Sequence, residues 1–266
     1  MRYGFVIDQR RCIGCHACTV ACKEENQVPL GTFRTWVKYV EKGTWPHTRR
    51  YFSVLRCNHC DDAPCVTKGG SAVKKRDDGI VLIDPEKAKG RKDLVETCPY
   101  GHIWWNEELQ LPQIWPFDAH LLDQGWEQTR GQQSCPTGAM RAIKIEDEAM
   151  ARMAREEGLE VMKPDAGTKP RVYYRNLWRY SKCFIGGTLA AETNDTVDCV
   201  EGASVRLTKD GRMVAETTSD NYGDFKFDKL DENSGRYLIE ISTRGHADKT
   251  VEANLGVSVN LGEIRL

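Results

Sequence analysis

Apolar and polar positions alternate in two different rhythms along the chain. In residues 1–145 the apolar runs are short and broken by cysteine, glycine and proline. They predict strands at 2–7, 51–55, 80–83 and 140–145, with short helices at 17–25 and 64–68 between them. Residues 146–157 change to helical spacing. Met150, Met153 and Ala154 share one face, Glu148 and Arg152 form an i,i+4 pair, and Gly158 supplies a C-cap. A polar, proline-bounded linker follows at 163–170. After it comes an aromatic and basic stretch, 171–178, expected to pack back on the first part. From 184 the period is two: Val205/Leu207, Phe225/Phe227 and Tyr237/Ile239/Ile241 alternate with polar residues. Asp210-Gly211 is a hairpin turn signal, and Asn221 to Asp224 is another. This rhythm predicts a seven-stranded β-sandwich. The expected class is α+β, with three parts: a cysteine-rich domain at 1–145, a helix and linker at 146–183 packing on it, and an all-β sandwich at 184–266.

Composition narrows the function. A chain of 266 residues suits two modest domains, and 40% apolar content allows a real core. The net charge of −1 gives no basic excess for nucleic acid or an anionic membrane surface. No apolar run approaches the roughly 18 residues of a membrane helix. The first eight residues lack the apolar core of a secretory signal and read as a strand. Ten of the eleven cysteines lie before residue 190, unlike a small secreted disulfide scaffold. Reduced thiols in a cytoplasmic, anaerobic setting are the expectation.

The cysteines carry the chemistry. Cys12, Cys15, Cys18 and Cys22 form a C-x2-C-x2-C-x3-C run. In that spacing three thiolates hold one iron–sulfur cluster and the fourth serves another. Gly14 allows the tight turn. Cys57, Cys60 and Cys65 form a looser triplet, and Cys98-Pro99 and Cys135-Pro136 stand alone. Two triplets and two lone Cys-Pro ligands make two complete four-thiolate sets. Three cysteines in seven residues is the wrong shape for a zinc ribbon. For the second triplet, zinc with His59 is the alternative. No Gly-rich phosphate loop, nucleophile elbow or HExxH is present, so an independent enzyme is not expected. The stretch between Cys22 and Cys57 reads as an extended loop. Its Trp36 and Trp45 can be partner surface or core filling.

These residues, followed by DGIVLIDPEK, CPYG and CPTGAM, resemble the ferredoxin-like electron-transfer subunits of the dimethyl sulfoxide reductase family. The resemblance implies a catalytic partner carrying a molybdenum or tungsten bis-pterin, and four cysteine runs that share clusters crosswise. It assigns Cys135 to the cluster of Cys12, Cys15 and Cys18. Cys98 goes to that of Cys57, Cys60 and Cys65. Departures cluster by site. Gly69, Ala88, Arg91 and Leu94 replace the four ligands of one further cluster. Trp115, Asp118 and a position near Gly131 replace three ligands of another, leaving Cys22 as its remnant. Cys22 with Asp118 is half a site, so two [4Fe–4S] clusters are expected. Cys183 and Cys199 are expected to be dispensable for both.

The segment from Glu156 to Tyr180 and the β-part beyond it are similar to the small subunits of pyrogallol–phloroglucinol transhydroxylases and resorcinol hydroxylases. That narrower likeness implies a transthyretin- or carboxypeptidase-regulatory-like sandwich and a phenolic substrate on the partner. Transhydroxylation needs no net electrons. A scaffold role is therefore a second reading, and a free-standing two-cluster ferredoxin a third.

Overall fold

The computed structural model describes residues 1–193 and 196–266. They fall into two compact units. One comprises Met1–Tyr39 with Phe52–Leu177, the other Val40–Tyr51 with Trp178–Leu266. The helix and most of the linker after residue 145 thus belong with the cysteine-rich part.

The chain opens with strand β1 (Arg2–Asp8), followed by helix α1 (Ala17–Glu25). Strands β2 (Thr35–Thr44) and β3 (His47–Arg56) pair as a hairpin within the stretch expected to be a loop. Then come helix α2 (Pro64–Gly69) and two small hairpins, β4 (Val73–Lys75) with β5 (Val81–Ile83) and β6 (Trp104–Asn106) with β7 (Leu111–Gln113). Between the hairpins the chain makes a 3₁₀ turn at Lys92–Thr97. Helices α3 (Ala119–Asp123) and α4 (Arg130–Gln133) lead into β8 (Met140–Ile145), α5 (Asp147–Glu156) and β9 (Val172–Arg175).

β1 is the middle strand of a three-stranded sheet, antiparallel to β8 and parallel to β9. Gly4–Ile7 are all buried rather than alternating because both faces are covered: Met150 of α5 lies against Gly4, and Trp115 and Phe117 against Phe5. α5 begins with Asp147 and Glu148 in its first turn, where the helix dipole favours acids. It ends before Gly158, whose φ of 60° is the left-handed conformation a C-terminal glycine supplies.

The second unit contains α6 (Trp178–Ser181) and, after it, eight strands among the described residues: β10 (Cys183–Thr193), β11 (Thr196–Cys199), β12 (Ser204–Lys209), β13 (Arg212–Thr218), β14 (Asp224–Leu230), β15 (Gly235–Ser242), β16 (Lys249–Leu255) and β17 (Val259–Arg265). The seven expected strands become eight because β11 folds back on the end of β10 as a short edge strand. One sheet holds β11, β10, β14 and β17; the other runs β13-β12-β15-β16. Asp210 and Gly211, with φ of 49° and 72°, turn the β12–β13 hairpin as the sequence required. Inward residues of both sheets share one core, with Ile185, Leu189, Phe225 and Phe227 from one and Val205, Leu207, Ile239 and Ile241 from the other. Tyr51 of β3 packs here too, against Trp178 and under Arg179.

That core draws every one of its buried residues from 183–264. Residues 178–266 expressed alone should therefore give a cooperative, β-type thermal melt without iron. A non-cooperative melt, or a random-coil far-UV spectrum at about 20 °C, would refute this.

Candidate iron–sulfur centres

The loop between β1 and α1 delivers Cys12 and Cys15, the first turn of α1 delivers Cys18, and the turn before β8 delivers Cys135. These four line one cavity with Val37, Val54, Ala139 and Met140. Gly14 holds φ at 73°, and a Cβ there would lie 2.3 Å from the Phe52 ring, so the first loop needs glycine at this point. Burial pushes the Cys12 thiol up to about 11, reinforced by Cys18, Cys135 and Cys15. Cys135 is half-buried, and burial pushes its thiol up too. However, the Ala139 amide, the Thr137 hydroxyl and amide, and the Gly138 amide together hold it below the ordinary value. The Ala139 N–H lies 3.3 Å from its sulfur.

The second set is built the same way. Cys57 and Cys60 follow β3, Cys65 lies in α2, and Cys98 ends the 3₁₀ turn. Burial raises the Cys57 thiol well above its usual range, and Cys65, Cys98 and Cys60 add to the effect. The His59 amide donates to Cys57 Sγ at 3.5 Å, and the His102 amide to Cys98 Sγ at 3.4 Å. Lys75 Nζ donates to the His59 and Cys60 carbonyls at 3.0 and 2.8 Å, pinning the loop.

Both sets fit a [4Fe–4S] cubane. Six of the eight thiols are held from ionising by burial, exposed Cys15 and N–H-stabilised Cys135 apart, and iron supplies the positive charge that lets them ionise. Backbone N–H groups already point at sulfurs in each set. Among the described residues, no three His, Cys, Asp or Glu side chains converge as ligands of a single ion. A cubane instead spreads its thiolates over separate corner irons.

The His59 ring packs against Trp115 and Phe117. Its Nδ1 accepts the Val81 N–H at 3.0 Å, and burial, then Lys75, Arg56 and Arg171, hold the ring well below the usual histidine range. His102 is likewise buried and held down to about 4.

The other two ligand sets are filled with packed side chains. A Cβ on Gly69 would lie 2.4 Å from Val73, so no cysteine fits there. Leu94 and Ala88 are fully buried, and Leu94 joins Val73, Val81, Ile103 and Ile114 in a core against Cys57, Cys65 and Cys98. Arg91 pairs with Asp93 at the surface. At the remaining set, Trp115 is buried and donates to Asp118, which also accepts the Arg130 amide. Cys22 is a buried thiol beside Asn26. Cys183 is buried in the β-unit, and Cys199 is exposed.

Sequence reasoning missed the N–H donors, the Lys75 clamp and Arg56, a fully buried guanidinium on the residue before Cys57. Only the missing thiolates at 115, 118 and 131 hinted that something else must occupy that space.

Family models match the chain at residues 3–24, as a 4Fe-4S binding domain, and at 48–145, as a 4Fe-4S dicluster domain. Over its whole length the chain is 40% identical to the pyrogallol hydroxytransferase small subunit of Pelobacter acidigallici, covering 99% of that protein. It is 38% identical to a tetrathionate reductase subunit of Salmonella typhimurium across 66% of this chain and 73% of that one. With the corresponding tetrathionate reductase subunit of Archaeoglobus fulgidus it shares 34% identity over 66% of this chain and 83% of that one. The chain carries iron–sulfur clusters, and among the described residues no helix is long and apolar enough to cross a membrane. It belongs to the family of iron–sulfur electron-transfer subunits of dimethyl sulfoxide reductase-type enzymes, the family of the pyrogallol hydroxytransferase small subunit.

Proposed function

We propose that this chain holds two [4Fe–4S] clusters, one on Cys12, Cys15, Cys18 and Cys135 and one on Cys57, Cys60, Cys65 and Cys98. They serve a large partner subunit with a molybdenum or tungsten bis-pterin that hydroxylates phenols or transfers hydroxyl groups between them. The observation that carries the reading is coordinated. Two four-thiolate sets are intact, with N–H groups aimed at their sulfurs, while the positions of two further sets hold packed side chains. The phenolic substrate rests on full-length similarity to the pyrogallol hydroxytransferase small subunit, which runs through the linker into the β-unit.

The clusters supply one-electron storage; the protein sets its energy. N–H donors to a thiolate stabilise the added negative charge of the reduced state, and apolar packing opposes it by excluding water. Only two clusters are needed where the partner's reaction is a hydroxyl transfer without net electron flow. The test is gentle anaerobic purification from the native cell. The chain should co-elute with a large subunit, pterin, and molybdenum or tungsten, and the pool should convert a trihydroxybenzene. Elution alone, with that activity in other fractions, would overturn the partner reading in favour of a free ferredoxin.

A further inference from the structure

The three positions where family thiolates give way to Trp115, Asp118 and Gly131 converge on one side chain, Arg56. It is the last residue of β3, and its side chain turns inward, leaving the residue 1% exposed. The guanidinium carbon lies 4.1 Å over the Trp115 ring and 4.8 Å over Phe5. Nη2 is 3.3 Å from Met140 Sδ. A Cβ on Gly131 would sit 3.5 Å from Nη2 and 3.4 Å from the Cys18 Cβ, in ordinary contact with both, which places the guanidinium and Cys18 side by side against this glycine. Burial disfavours the charged forms of Cys18, Cys22 and Asp118, and Arg56 works against it by favouring them. Its Nε and Nη1 have no hydrogen-bond partner among the described residues.

A buried cation with unmet N–H groups is costly unless an anion lies near. Aromatic faces offset part of that cost. Asp118 is shared with Trp115 and the Arg130 amide. The remaining negative charge at hand is the cluster on Cys12, Cys15, Cys18 and Cys135. With four thiolates a cubane site carries net negative charge, and one more on reduction.

We propose that Arg56 is a fixed positive charge standing where a second cluster would sit, and that it raises the reduction potential of the cluster beside Cys18. It is a positioning residue for charge: it ligates no iron and exchanges no proton. Reduction adds one electron to the cluster, no bond forms or breaks, and the nearby cation stabilises the reduced form more than the oxidised one. The low-dielectric setting of Trp115, Phe5 and Met140 strengthens that effect. The inference rests on the ligand set proposed for the first cluster.

The test uses the full chain, prepared anaerobically, with cluster midpoints read by EPR-monitored potentiometric titration. Arg56→Met keeps the apolar stem and removes the charge; Arg56→Lys keeps a charge. In Arg56→Met the midpoint of the first cluster should move to more negative potential, with a smaller shift at the second. Arg56→Lys should restore most of the difference. Cluster loss in Arg56→Met with retention in Arg56→Lys would also support a charge requirement. Unchanged midpoints in Arg56→Met with full iron overturn the proposal. So does equal loss of the cluster in both variants, which would make Arg56 a space-filler. The underlying ligand reading fails separately, if Cys135→Ser leaves both EPR signals of the otherwise unaltered chain in place.

Discussion

Iron analysis of the anaerobically prepared chain should return about eight irons, four for each cubane. Cys135→Ser should remove about half of them, whereas Cys22→Ser should leave iron and the visible spectrum unchanged. The two cysteines look alike in sequence, since each is the last of a family run. The structure separates them. Cys135 lines the same cavity as Cys12, Cys15 and Cys18, with the Ala139 N–H on its sulfur. Cys22 faces Asn26, and Arg56, Asp118 and Arg34 act on it electrostatically, with no second thiol among the groups that do so. Cys135→Ser also cuts a link between the loop after β1 and the turn before β8, so the fold should loosen. Metal-held cross-links in small domains are a large share of folding free energy. About twelve irons would refute the two-cluster count and make Cys22 with Asp118 a ligand pair.

The two cysteine triplets were legible because thiolate spacing is a local signal, whereas only the resemblance tied Cys98 and Cys135 to them. α1 and β8 also match their sequence ranges. The strand expected at 51–55 lies within β3, but the β2–β3 hairpin as a whole was not legible. Its strands carry Lys38, Glu41 and Lys42, and Arg49 and Arg50, at positions that mask the period of two, and the outer residues are mostly exposed. β9 was expected to pack back, but its parallel pairing with β1 depends on a register, Phe5 to Val172, that no local pattern encodes. Arg56 was hidden for a different reason. A charged residue beside a cysteine reads as surface, and its burial follows from packing against Trp115, Phe5 and Met140, all distant in sequence. In the β-unit the alternation was strong enough to place the inward faces. The extra strand β11 was missed because all four of its residues are exposed.

Arg171→Leu should destabilise the first unit by about 1.5–3 kcal/mol, the scale of hydrogen bonds made by a charged group. The Arg171 side chain is only 4% exposed. Its Nε donates to the Tyr3 carbonyl at 2.6 Å, Nη2 to Asp147 at 2.9 Å and Nη1 to Asp61 at 3.1 Å. One guanidinium thus ties β1, the start of α5 and the loop after Cys60. Asp61 also meets Arg2 and Lys75, each at 3.0 Å, and Lys75 clamps the Cys60 carbonyl. Removing the guanidinium takes the side-chain donor from the Tyr3 carbonyl, leaves Asp61 to Arg2 and Lys75 and Asp147 to Arg2, and frees one side of the second-cluster loop. Arg171→Lys should recover little, because a single ammonium cannot reach three acceptors in a fork. The space is also tight: a Cβ on Gly79 would lie 2.9 Å from Nε. The exposed pair of Arg206 and Glu216 on the β-unit is the control, and Arg206→Ala there should leave stability nearly unchanged. Urea titration gives the stabilities. Iron release to a chelator gives the link to the site: Arg171→Leu should lose the second cluster faster than the first. Equal release from both clusters, or a urea midpoint no lower than that of Arg206→Ala, would show that the ion network is surface decoration rather than the brace of that loop.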